Sequence, residues 1–71
     1  MSDILRVIAS NVRKKRVRQN LTQEALAEKA DLHPNYVGMI ERCQRNVSVL
    51  ALEKIANALN IPITDLLRKQ N

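Results

Sequence analysis

The sequence predicts an all-α fold of five short helices. One glycine and two prolines in 71 residues leave few points at which a helix must break. Apolar residues recur at three- and four-residue spacing rather than in alternation, the signature of helices with one buried face. Phe and Trp are absent and Tyr occurs once. The core must therefore be built from Leu, Ile, Val and Ala, which suits helices packed face to face. No linker, low-complexity stretch or internal repeat interrupts the pattern, so residues 1–71 read as a single domain.

The first helix runs from about Asp3 to Arg18, with Leu5, Ile8, Ala9 and Val12 on one face. It ends in the basic run Arg13-Lys14-Lys15-Arg16 followed by Arg18. Cations there complement the negative end of the helix dipole, and they equally suit contact with phosphates. Lys15 lies one turn beyond Val12 on the apolar side and is expected to snorkel. Asn20 stops this helix, and Thr22 caps the second, with Glu24 near its positive end. Leu26, Ala27 and Ala30 face inward, and Asp31 marks a corner. Pro34 fits the first turn of the third helix, where no amide donor is missed, which makes His33 the expected N-cap. Val37 and Ile40 point into the core, whereas Asn35, Gly38, Met39 and Arg42 fall mostly on the opposite side. Ser48 caps a fourth helix with the buried stripe Leu52, Ile55, Ala56 and Leu59, ended by Asn60. Pro62 opens a short fifth helix bearing Ile63, Leu66 and Leu67.

The four expected helix ends are Asn20, Asp31, Cys43 and Asn60, positions where glycine ordinarily takes the left-handed conformation. Asn and Asp tolerate that conformation better than other side chains. Cys43 lacks this advantage, so mild strain or an altered turn is expected there.

Twelve Lys and Arg against seven Asp and Glu give a net charge of +5. Such an excess favours an anionic partner, nucleic acid first and a membrane surface second, although a solvated basic surface accounts for it equally well. No apolar run approaches the roughly 18 residues of a membrane span, and no signal-peptide pattern is present, so the expected location is the cytoplasm. Cys43 stands alone, which rules out an intramolecular disulfide, and a metal site fails on ligand count. His33 and Cys43 lie at opposite ends of an expected ten-residue helix, roughly 15 Å apart, too far for a catalytic dyad. Neither catalysis nor a cofactor is expected. A chain this short supports a core of only about 3–5 kcal/mol, and dimerisation is one way to supplement it. Ile61, Ile63, Leu66 and Leu67 are the expected dimer surface, because a short terminal helix there carries more apolar residues than its own core can use.

Residues 22–46 stand apart. Two short helices joined by a tight corner, the second with outward polar groups in a basic chain, suit insertion of a helix into the DNA major groove. The string Leu21-Thr22-Gln23-Glu24-x-Leu26-Ala27, then Val37-x-x-Ile40-Glu41-Arg42 and Leu52-x-x-Ile55-Ala56-x-Ala58-Leu59, resembles the Cro/C1-type (XRE) helix-turn-helix regulators. The likeness covers roughly residues 4–67, with the helix-turn-helix at about 22–42, and implies a lambda-repressor-like five-helix DNA-binding domain. Within that group, Leu32-His33-x-x-Tyr36-Val37 and Glu41-Arg42-x-x-Arg45-Asn46-Val47-Ser48 are similar to controller proteins of restriction–modification systems. Prophage-type repressors and antitoxins share much of the string and stay open as alternatives, as does an interaction module that binds no nucleic acid.

The resemblance implies that Gln23, with Thr22 beside it, bonds a phosphate and braces the recognition helix. It places His33, Pro34, Asn35, Gly38 and Met39 toward bases, and Tyr36 against the DNA backbone. Arg42, Gln44, Arg45 and Asn46 match the loop that approaches backbone and neighbouring bases. Arg16 and Glu41 match a buried ion pair tying the first helix to the third. Glu24 and Glu28 match acidic positions that touch RNA polymerase in a phage repressor of the group, and read otherwise as a helix-start charge and a solvated residue. Asn35 is the strongest base reader, since a carboxamide bonds adenine through two contacts. Met39 suits a thymine methyl or partial core packing. Gly38 suits close approach to DNA or a neutral substitution.

Departures from the group are informative. Pro34 stands where controller proteins often carry an Arg that reads guanine, Gly38 where Ser is frequent, Lys15 where Leu is usual, and Cys43 where Gly or Asn is usual. The expected partner is a double-stranded, pseudo-palindromic operator read by a homodimer across half-sites about 34 Å apart. Two dimers on adjacent sites would allow cooperative filling. With no sensor domain, activity would be set by concentration, as in an autoregulator.

Overall fold

The computed structural model describes residues 3–44 and 46–69. Five helices follow in order: α1 (Asp3–Arg18), α2 (Gln23–Lys29), α3 (Tyr36–Glu41), α4 (Val49–Leu59) and α5 (Thr64–Leu67). Among the described residues there is no strand. Helix α1 packs against α3, α4 and α5, while α2 packs against α3 and α4. The aliphatic stripes meet in one cluster that includes Ile8, Val12, Leu26, Val37, Ile40, Leu52, Ile55, Leu59 and Leu66. Leu5, expected on the buried face of α1, is half-buried at its edge.

Capping follows the sequence at two helix starts. Thr22 Oγ1 accepts from the Ala25 N–H at 3.0 Å, and Ser48 Oγ accepts from the Ala51 N–H at 3.0 Å. Each bond satisfies an amide that the helix itself leaves without a partner.

All four corners close in the same way. Asn20, Asp31, Cys43 and Asn60 take left-handed backbone at φ 58°, 56°, 56° and 57°. The residue after each donates its N–H to a carbonyl five positions back: Leu21 to Arg16, Leu32 to Ala27, Gln44 to Met39 and Ile61 to Ala56. Each corner residue also donates its own N–H to a carbonyl three positions back, and this double closure usually brings an apolar contact with it. Leu21, Leu32 and Ile61 supply that contact by packing on the core. The third corner departs twice, since Cys43 holds the left-handed position and the polar Gln44 follows it. No altered turn relieves Cys43: it adopts the same geometry as its Asn and Asp counterparts, so strain is what remains.

Three expectations need correction. The α-helical part of α3 starts at Tyr36, not at Pro34. The leading turn is closed more tightly than an α-helical turn, with Tyr36 N–H donating to His33 O at 2.9 Å. The N-cap is Asn35, whose side chain makes no cap bond, and not His33, whose Nδ1 accepts from Asn35 N–H at 3.2 Å within the preceding turn. The fifth helix is a single turn, and Leu66 is fully buried rather than available to a second copy. Asn11 explains this. It is buried in α1, and its Nδ2 donates to Leu66 O at 3.0 Å and Arg68 O at 2.7 Å, pulling α5 onto α1. Finally, Gly38 is buried rather than outward-facing. Gln19 makes a companion clamp, its Nε2 donating to Leu59 O at 2.7 Å at the end of α4.

Replacing Cys43 with Gly removes the left-handed penalty at the third corner. The expected gain is about 1 kcal/mol in chemical unfolding. A loss would mean that the weak Sγ contact to Leu5 O at 3.8 Å outweighs the strain.

Candidate nucleic-acid interface

The α2–α3 unit is fastened from below by one carboxylate. Glu41, at the end of α3, accepts two hydrogen bonds from Arg16 of α1, Nε to Oε2 at 2.7 Å and Nη2 to Oε1 at 3.1 Å. Gln23, the first residue of α2, adds a third from Nε2 to Oε1 at 3.1 Å. The remaining Arg16 nitrogen donates to Leu21 O at 2.8 Å, so the guanidinium also holds the α1–α2 corner. The Arg16 and Glu41 side chains are only 12% and 3% exposed. Bidentate geometry of this kind makes a strong, directional pair. The hydrogen bond to Glu41 holds the Arg16 guanidinium above its ordinary pKa, against the desolvation that burial imposes, and the charge of Glu41 adds to it. A base held more tightly in the fold keeps that stabilisation throughout the neutral range and loses it only as pH rises through its raised folded value.

Above this knot, Val37 and Ile40 anchor α3 in the core, being 0% and 1% exposed. Asn35 is exposed at the leading turn, with His33 and Pro34 beside it. Met39 is half-buried, which accommodates both readings of its side chain. Tyr36 is half-buried and packs on the core cluster, so its ring is supported at the rim.

Thr22, Arg42, Gln44 and Asn46 are exposed, whereas Arg45 lies outside the described residues. Arg42 Nε donates to Gln44 Oε1 at 2.8 Å, which steadies the guanidinium beside α3. The polar residue at the third corner thus acquires a use that its position alone did not reveal.

Gly38 explains its burial through its neighbours. A Cβ added there would stand 3.0 Å from Arg42 Nη1 and 3.0 Å from Gln23 Oε1. The side chains of α2 and of the loop after α3 therefore close over this glycine.

Glu24 and Glu28 are exposed on α2. On α1, Arg6, Arg13, Lys14 and Arg18 are exposed and Lys15 is half-buried. Among the described residues, no group of three His, Cys, Asp or Glu side chains could hold a metal ion. Among the described residues no helix is long and apolar enough to cross a membrane.

Sequence reasoning missed Asn11 and Gln19. Asn11 follows Ile8 by three positions and precedes Lys15 by four, so both polar residues interrupt the same stripe. That interruption was the available signal for a buried polar contact.

The chain matches the Helix-turn-helix family (HTH_3) over residues 12–66. It is similar to the control protein C.SmaI of Serratia marcescens, at 46% identity over 68 residues, covering 96% of this chain and 81% of that protein. The structure of the hypothetical transcription factor NHTF from Neisseria aligns with a TM-score of 0.92 at 36% identity, over 94% of this chain and 77% of that one. The restriction-modification controller protein C.AhdI from Aeromonas hydrophila aligns with a TM-score of 0.84 at 40% identity, over 87% and 94% of the two chains.

Removing one partner of the buried pair leaves the other charge without compensation. Glu41→Ala is expected to cost about 3 kcal/mol in urea unfolding, while the double change Arg16→Met with Glu41→Leu should recover most of it. A double variant as unstable as the single would show that Glu41 matters for packing rather than charge.

Proposed function

This chain belongs to the Helix-turn-helix (HTH_3) family, and from that membership we propose that it is a controller-type transcriptional regulator that binds operator DNA as a homodimer. One observation supports this most directly: α3 is held by Val37, Ile40 and Glu41 while Asn35 stands exposed on its leading turn. A short helix fixed on one side, with an exposed carboxamide at its leading turn, can enter the major groove without distorting its support. The similarity to C.SmaI, a control protein, favours the controller reading.

In this reading Asn35 reads adenine through its carboxamide, and Met39 lies against a neighbouring thymine methyl. His33 and Pro34 flank the first base step. Gln23, Tyr36 and Arg42 hold phosphates, with Thr22, Gln44, Arg45 and Asn46 along the backbone; such contacts position the helix without specifying sequence. Glu24 and Glu28 remain exposed for a polymerase contact when the protein activates. The work is done in the cytoplasm, where the operator is.

The dimer forms along the outer edge of α5. Leu67 is 39% exposed there, and Ile61 and Ile63 are half-buried. The buried Leu66 supports this edge from inside. Pairing two copies by a two-fold axis presents two α3 helices to half-sites about 34 Å apart.

Fluorescence anisotropy against the DNA upstream of the protein's own gene tests the reading. Preference over unrelated DNA of equal length should reach about 10³ or more. Asn35→Ala should erase about 1–3 kcal/mol of that discrimination. Equal, weak binding to both duplexes would sink the proposal. For the dimer, Leu67→Asp should weaken self-association at least tenfold in sedimentation without unfolding the chain. Leu66→Asp should abolish folding instead, because it places a charge in the core.

A further inference from the structure

We infer that Gly38 is the seat of a two-armed phosphate clamp, in which its missing side chain lets the Gln23 carboxamide and the Arg42 guanidinium lie together on α3. The inference deepens the DNA-binding reading and rests on it. Nothing in the backbone calls for glycine at this position: no glycine of the chain has positive φ, and Gly38 lies within α3. A glycine inside a helix weakens it. What the position requires is space. A Cβ would meet Arg42 Nη1 at 3.0 Å, Gln23 Oε1 at 3.0 Å and Arg42 Cζ at 3.6 Å.

Both arms are held from behind. Gln23 gives one amide hydrogen to Glu41 Oε1 at 3.1 Å, which turns its carbonyl oxygen toward Gly38 and leaves its second N–H to donate. Arg42 commits Nε to Gln44 Oε1 at 2.8 Å, leaving the two terminal nitrogens as donors. At Gly38 the atoms that meet are the Gln23 carbonyl oxygen, an acceptor, and Arg42 Nη1, a donor; the donors left to a ligand are the second Gln23 N–H and the Arg42 terminal nitrogens. A backbone phosphate, acceptor-only and anionic, is the ligand this pair fits. Gly38 touches no DNA itself and acts as a positioning residue.

The colliding atoms are the ends of flexible side chains, so a methyl group at Gly38 displaces them at little cost to folding. Gly38→Ala should therefore keep or raise the thermal midpoint while weakening binding to operator and unrelated DNA alike. The expected loss is on the order of tenfold. The slope of log K against log salt should fall by about one, as for a lost phosphate contact. A residue that served folding alone would not change that slope. In an Arg42→Ala background, Gly38→Ala should cost little further, since the two act through one contact. Unchanged affinity and slope in Gly38→Ala would overturn the inference while leaving the DNA-binding reading in place, and so would full additivity with Arg42→Ala. If the parent chain binds neither duplex, the functional reading fails and takes the inference with it.

Discussion

The Glu41 carboxylate is the point on which the α2–α3 geometry depends. It joins three segments that are distant in sequence: Arg16 near the end of α1, Gln23 at the start of α2, and its own position at the end of α3. The hydrophobic core could tolerate small rotations of a six-residue helix, because aliphatic contacts are non-directional. A bidentate pair is not so permissive, since both oxygens and both nitrogens must align. Burying two charges is costly, and the gain in net stability is small at best. The return is orientation: the outer face of α3 is presented at a fixed angle relative to α1 and α2.

Much of this architecture is legible in the sequence because it rests on local rules. Thr22 and Ser48 announce caps through side-chain chemistry, and Asn20, Asp31 and Asn60 announce left-handed corners through their tolerance of positive φ. The stripe Leu52, Ile55, Ala56, Leu59 follows from helical period alone. The Arg16–Glu41 pair was legible only through resemblance, since no local rule predicts that two charges 25 positions apart will meet. What escaped reading depends on tertiary placement. Pro34 permits a helix start at its position, but His33 takes up the leading turn and delays it to Tyr36. Leu66 looked surplus to a short helix because the pull of Asn11 on that helix cannot be seen from α5 itself. Gly38 looked like a surface residue because helical phase alone did not reveal the side chains that close over it.

Glycine usage in this chain inverts the usual arrangement. Four left-handed corners are made without glycine, and the single glycine sits in right-handed helix. At the corners, Asn and Asp bear the conformation well and Cys43 bears it poorly. In α3, glycine weakens the helix but provides room. Both departures lie within one segment, from Gly38 to Gln44, next to the side chains assigned to phosphate. Local propensity gives way twice within that segment, the pattern that the proposed phosphate contacts would account for at Gly38.

The Asn11 latch has a consequence for how such proteins diverge. Its two bonds end on main-chain oxygens of Leu66 and Arg68, atoms that every residue provides. The outer edge of α5 can therefore change side chains freely while the turn stays docked on α1. If the dimer forms along this edge as proposed, pairing preference can drift at Ile63 and Leu67 with the fold kept intact. On the proposed dimer, two descendants of one ancestral chain, sharing a cell, can cease to form mixed pairs through a few changes at one edge while α3 keeps its support.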